Sequence, residues 1–94
     1  MSIIKGKTAS GFEWEVDSDV LTSWEFIDYQ RKAGDDIDAG MDGIVFLFGD
    51  EQFARLLEFK RQKGGKRYVP IEDIQKEVEE VIAAIGENEE TKNL

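Results

Sequence analysis

The sequence predicts an α+β domain, mainly α, in which an N-terminal β-hairpin packs on about four helices. Three observations predict it. Apolar and acidic residues alternate over 12–16, as Phe12-Glu13-Trp14-Glu15-Val16. Helix-start signals recur near 22, 36, 50 and 70, each followed by apolar residues at helical spacing. Ile71, Ile74, Val78, Val81, Ile82 and Ile85 form a stripe about 100° wide on one helix face. One compact domain over 1–86 is expected, followed by a frayed acidic tail over 87–94.

The hairpin comes first. Phe12, Trp14 and Val16 share one strand face, residues 3–8 supply the partner strand, and Ala9-Ser10-Gly11 the turn. A two-stranded hairpin is marginal in water, so its apolar face must rest on the helices. The first helix carries a capping box, Thr22 with Glu25, and a hydrophobic staple, Leu21 with Phe26. It runs to about Ala33, where Gly34 stops it. Trp24, Phe26, Ile27, Tyr29 and Ala33 spread over more than half its circumference, which predicts packing on two sides.

Residues 44–48 allow two readings. Ile44-Val45-Phe46-Leu47-Phe48 between two glycines has the form of a buried strand. Ile37, Met41, Ile44 and Phe48 have helical spacing, and a helix capped near Asp35 or Asp36 is the preferred reading, with Phe46 off the main stripe. A third helix follows, capped by Asp50 and running to about Lys63. Phe53, Leu56, Leu57 and the stem of Lys60 line one face, Arg55, Glu58 and Arg61 the other, with Phe59 at the boundary. Gly64-Gly65 ends it. The fourth opens at Pro70 with Glu72 and Asp73 in its first turn, and Gly86 closes it.

Composition narrows the chemistry. The chain of 94 residues has no cysteine and no histidine. It therefore builds no disulfide, no Cys or His nucleophile relay, no zinc site of the Cys/His kind and no c-type haem site. No apolar run approaches the roughly 18 residues of a membrane span, and residues 1–5 lack the features of a signal peptide. The net charge of −9 disfavours nucleic acid. The charge is segregated: residues 50–68 carry six basic and three acidic groups, while the segments on either side are each net acidic.

The remaining constellations have structural explanations. An EF-hand loop needs a Glu at its twelfth position; counted from Asp36 that position is Leu47, and from Asp38 it is Gly49. Glu13 and Glu15 fit a solubilising strand face, and Gly64-Gly65-Lys66 fits a helix C-cap better than a phosphate loop. The basic cluster Arg55, Lys60, Arg61, Lys63, Lys66 and Arg67 suits an acidic partner protein or the chain's own acidic fourth helix. Neither metal nor cofactor is expected. Two Trp, six Phe and two Tyr exceed what a small core must hold; Phe46, Phe59 and Tyr29 lie off the stripes and suggest an apolar surface for another protein.

Four stretches carry a resemblance: residues 10–17, Thr22-Ser23-Trp24-Glu25-Phe26, residues 47–53, and Val69-Pro70-Ile71 opening an amphipathic helix. Together they span about residues 10–86, and they resemble the small tail assembly chaperones of long-tailed bacteriophages and prophages of Gram-positive bacteria. The resemblance implies a non-enzymatic protein of the host cytoplasm, absent from the finished virion. Its partners would be the tape measure protein and tail tube subunits, with self-association left open. The expected partner-binding residues are Phe46 and Phe59 as anchors, with Arg55 and Arg61 steering. The competing reading is a small acidic inhibitor or DNA mimic that occludes a basic protein; the basic stretch 55–67 weighs against it.

Overall fold

The computed structural model describes the backbone of residues 2–93 and the side chains of residues 2–87. Strand β1 (Ile3–Lys7) pairs antiparallel with β2 (Glu13–Asp17), with Gly6 opposite Trp14 and Ile4 opposite Val16. The turn closes through Thr8, whose N–H donates to the Phe12 carbonyl at 2.9 Å and whose carbonyl accepts from Gly11 at 2.9 Å. Gly11 takes φ +101°, a conformation L side chains rarely adopt. The alternation works as the sequence predicts: Phe12, Trp14 and Val16 are buried, while Glu13 and Glu15 face water. The Trp14 indole lies across Gly6, where a Cβ would come within 2.5 Å of its ring.

A 3₁₀ turn over Ser18–Thr22 follows, then helix α1 (Trp24–Ala33). The cap of α1 is Ser23, not Thr22. The Thr22 hydroxyl donates to the Asp19 carbonyl at 3.2 Å and so is spent on the 3₁₀ turn. Ser23, in extended backbone, instead accepts from the Phe26 N–H at 3.2 Å. Leu21 and Phe26 still join the core. The expected two-sided packing of α1 does not occur: Phe26 alone is fully buried, and Trp24 and Ile27 are open to solvent. The exposed Trp24 ring carries the Arg31 guanidinium at 5.9 Å instead.

Residues 44–48 are helical, within α2 (Ile37–Phe48), and Asp36 caps that helix by accepting from the Asp38 N–H at 3.0 Å. Of the expected α2 stripe, Phe48 is buried and Met41 and Ile44 are half-buried against the core, but Ile37 remains 61% exposed, and Ala39, Gly43 and Leu47 are buried on a neighbouring face. The cause is close packing on α1. A Cβ on Gly43 would lie 3.0 Å from the Tyr29 Cβ, and one on Gly40 would lie 3.4 Å from the Ala33 Cβ. Small residues let the backbones approach, and that approach turns α2 about its axis.

Helix α3 (Asp50–Gly64) is capped by Gly49, not Asp50. The turn from α2 into α3 demands φ +84° at residue 49, so glycine takes the cap and Asp50 falls into the first turn, where its charge still suits the helix dipole. Gly65, at φ +65°, ends α3 as a left-handed cap and donates to the Arg61 carbonyl at 2.9 Å. Helix α4 (Ile71–Asn93) does not stop at Gly86. That glycine lacks the positive φ of a C-cap, and a single interior glycine costs only about 1 kcal/mol relative to alanine. The expected fraying of the tail concerns residues that, from 88 onward, lie outside the described side chains. Ile74, Val78, Val81 and Ile85 bury against Phe12, Trp14, Val16, Phe26, Leu47, Phe48 and Leu56 in one core, while Ile71, at the start of the stripe, is exposed.

Candidate functional site

Two kinds of side chain stand out from this scaffold: those that fasten the hairpin to the helices, and those that leave apolar surface open. Gln52 and Arg55 of α3 belong to the first kind. Gln52 Nε2 donates to the Glu15 carbonyl at 2.8 Å, and its Oε1 accepts from the Glu15 N–H at 2.8 Å. Arg55 donates to the Glu13 carbonyl at 2.7 Å, and its guanidinium sits 4.6 Å from the Phe12 ring centroid. Together they take up the Glu13 carbonyl and both backbone groups of Glu15 on the free edge of β2, which would otherwise be open to another strand. Arg55, expected to steer a partner, is thus engaged within the fold. Clefts of about 660 and 560 Å³ flank it, one lined by Phe48 and Gln52 among others and the other by Lys5 and Trp14.

A second fastening joins the hairpin turn to α4. Glu77 is only 4% exposed. Its Oε1 accepts from the Ser10 hydroxyl at 2.6 Å and from Lys60 Nζ at 3.1 Å, and Glu80 accepts from the Ala9 N–H at 2.6 Å. Burial pushes the Glu77 carboxyl up, but the hydroxyls of Ser10 and Thr8 and the Lys60 ammonium outweigh it and hold the group below its ordinary value. The Ser10–Glu77–Lys60 cluster thus ties the hairpin turn to α3 and α4. Elsewhere, Asp17 is lowered by the N–H groups of Ser2 and Asp19, and Asp28 by Lys32 and Arg31. Among the described residues no three carboxylates gather to hold a metal ion.

The other three expected contact residues fall in separate places. Phe46 is 41% exposed, lies 5.9 Å from the Tyr29 ring, and borders a cleft of about 340 Å³ with Asp42, Val45 and Asp50. Phe59 is half-buried, tilted against Phe12 at 5.5 Å, with Lys63 Nζ 5.9 Å from its ring. Arg61 pairs with Glu58 on its own helix at 3.3 Å. Phe46 therefore belongs to the α1–α2 side and Phe59 to the hairpin side.

Sequence reasoning did not identify a groove between α2 and α4. It measures about 370 Å³, and Ile37, Met41, Ile44, Val78, Glu79 and Ile82 line most of it. Ile37, Met41 and Ile44 read in the sequence as a core stripe; Met41 and Ile44 do pack half-buried against the core, while Ile37 is exposed. The signal that could have redirected Ile37 is the run of small residues Ala39, Gly40 and Gly43 on another face of the same helix.

Trp24, Ile27 and Ile71 are further exposed apolar side chains. No described helix is long and apolar enough to cross a membrane. No family model matches the chain, and neither a curated protein nor a solved structure matches it.

Proposed function

We propose that the protein is a non-enzymatic binding protein, a tail assembly chaperone of a bacteriophage or prophage. In this reading it holds apolar helical segments of the tape measure protein, and of tail tube subunits, in solution in the host cytoplasm until the tail polymerises, and it is left out of the virion. One observation carries the reading: a small domain with net charge −9 leaves Trp24, Ile37, Phe46 and Tyr68 between 41% and 69% exposed. Exposed aromatic and aliphatic side chains anchor partners, and high net charge keeps a loaded complex dispersed.

Co-expression with the tape measure protein of the same phage tests it. The two should co-purify, and the tape measure protein should aggregate when expressed alone. Phe46→Ala should weaken capture while leaving the melting transition nearly unchanged, because Phe46 is substantially exposed. Phe59→Ala, Arg55→Ala and Arg61→Ala complete the set, with melting measured alongside capture, since Phe59 and Arg55 also contact Phe12. A tape measure protein equally soluble with and without this chain would remove the chaperone reading.

A further inference from the structure

We infer that the α2–α4 groove is a docking site for an amphipathic helix whose apolar stripe is flanked by lysine or arginine. The inference rests on the binding-protein reading only in needing a helical partner; it does not require that partner to be a tail protein.

The groove follows from how α2 divides its faces. Its small face, Gly40 and Gly43, is committed to Ala33 and Tyr29 of α1 at near-contact distance. Ile37, Met41 and Ile44, at i, i+4 and i+7, are thereby aimed along the groove toward Val78 and Ile82 of α4. Residues 37–44 of α2 and 75–82 of α4 each run about 10 Å, two helical turns, which matches the length of an i, i+3/i+4, i+7 stripe on a partner helix.

Charge identifies the kind of helix. Glu79 lines the groove, and Glu72 lies two turns earlier on the same line of α4. Asp38 follows Ile37 at the other wall, next to Asp35 and Asp36, and all of these are exposed. The Gln30 and Gln75 side chains at the groove are neutral. Two cations lie nearby: Lys32 is paired with Asp28 at 2.9 Å, and Lys76, four residues after Glu72 and three before Glu79, offsets part of their charge, so that Asp35, Asp36 and Asp38 keep the rim net acidic. A second copy docking through the same face would set acidic rim against acidic rim, which opposes a two-fold dimer there. The chain's own residues 87–94 are acidic and suit the groove no better.

The probes are three synthetic 18-residue peptides: a leucine stripe flanked by lysines, the same stripe flanked by glutamates, and a scramble of the lysine peptide without a stripe. Fluorescence anisotropy and backbone amide shifts are read on the full chain. The lysine-flanked peptide should bind, weaken several-fold between 50 and 300 mM salt as the Debye length shortens and screens the exposed charge pairs, and shift amides clustered at 37–44 and 75–82. Ile37→Asp, at an exposed position, should lower affinity at least ten-fold while melting stays cooperative. Equal binding of the glutamate or scrambled peptide, shifts centred elsewhere, or undiminished binding to Ile37→Asp would overturn the proposal. A concentration-dependent dimer dissolved by Ile37→Asp would assign the groove to a second copy and overturn it as well. Peptide binding without tape measure capture would leave the groove standing and remove the tail-chaperone reading. Tape measure capture unchanged by Ile37→Asp, together with no binding of the lysine-flanked peptide, would do the reverse.

Discussion

Replacing Glu77 with glutamine removes one charge from the cluster that ties the hairpin turn to α4, with almost no change of shape. In the native protein the carboxylate is 4% exposed and accepts a 2.6 Å bond from Ser10 and a 3.1 Å bond from Lys60. Hydrogen bonds to a charged group contribute about 1.5–3 kcal/mol each, and removing one member of a buried pair costs about 3–5 kcal/mol. Two features of the site reduce that figure. The glutamine oxygen can still accept from Ser10, and the Lys60 side chain, 14% exposed, can turn its ammonium toward water. A loss of about 2 kcal/mol remains, which for a domain of this size lowers Tm by roughly 8–16 °C.

The pH dependence has a definite sign. The Glu77 carboxyl is held below its ordinary value in the folded protein, so its contribution is complete above the ordinary glutamate range and is lost as pH falls through the lowered value. Urea unfolding followed by circular dichroism at pH 7, and in steps down to pH 3, should show Glu77→Gln destabilised at neutral pH. The gap to wild type should narrow on acidification. Lys60→Met with Glu77→Gln should cost less than the sum of the two single changes. Equal midpoints at pH 7, or a gap that holds constant to pH 3, would refute the account of this cluster.

Two further expectations concern helix ends. Ser23→Ala should cost about 0.5–2 kcal/mol by thermal melting, because Ser23 caps α1, while Thr22→Ala should cost less; the opposite order would restore the capping box at Thr22. Gly86→Ala should stabilise by about 0.5–1 kcal/mol, since α4 runs through it and nothing lies within 4 Å of the added methyl, whereas Gly65→Ala should destabilise by about 1 kcal/mol at its positive φ. A destabilising Gly86→Ala in chemical denaturation would show that α4 ends there.

The elements that period alone determines were legible in the sequence. Strand alternation placed Phe12, Trp14 and Val16 in the core, and the α4 stripe placed Ile74, Val78, Val81 and Ile85 there. Helical spacing likewise decided α2 against its strand-like run of Ile44 to Phe48. The residues that went astray depended on a neighbour. Thr22 lost the cap to Ser23 because a 3₁₀ turn claimed its hydroxyl, and Asp50 lost it to Gly49 because the interhelical turn needed a positive φ. Ile37, alone of the α2 stripe, was left open because glycines drew another face of α2 onto α1, an outcome set by backbone approach rather than by hydropathy. Glu77 reads in the sequence as one more surface acid, since nothing local marks the hairpin turn 67 residues away that buries it. Of the expected contact residues, Phe46 was legible as exposed from its place off the stripe, whereas the engagement of Arg55 with β2 depends on a tertiary contact between distant segments.

The bonds from Ala9 and Ser10 to Glu80 and Glu77 span 71 and 67 residues. During synthesis at about 5–20 residues per second, some 3–14 s separate the appearance of the turn from that of its carboxylate partners. For that interval the hairpin has neither its α4 lock nor the cover that Ile74, Val78, Val81 and Ile85 give its apolar face. The closely packed α1–α2 pair, joined by a short connection, can assemble meanwhile from neighbouring sequence. Arrival of α4 is then the event that completes the nascent chain's fold, so a ribosome stalled before residue 77 would hold a chain whose Phe12, Trp14 and Val16 are still seeking a surface.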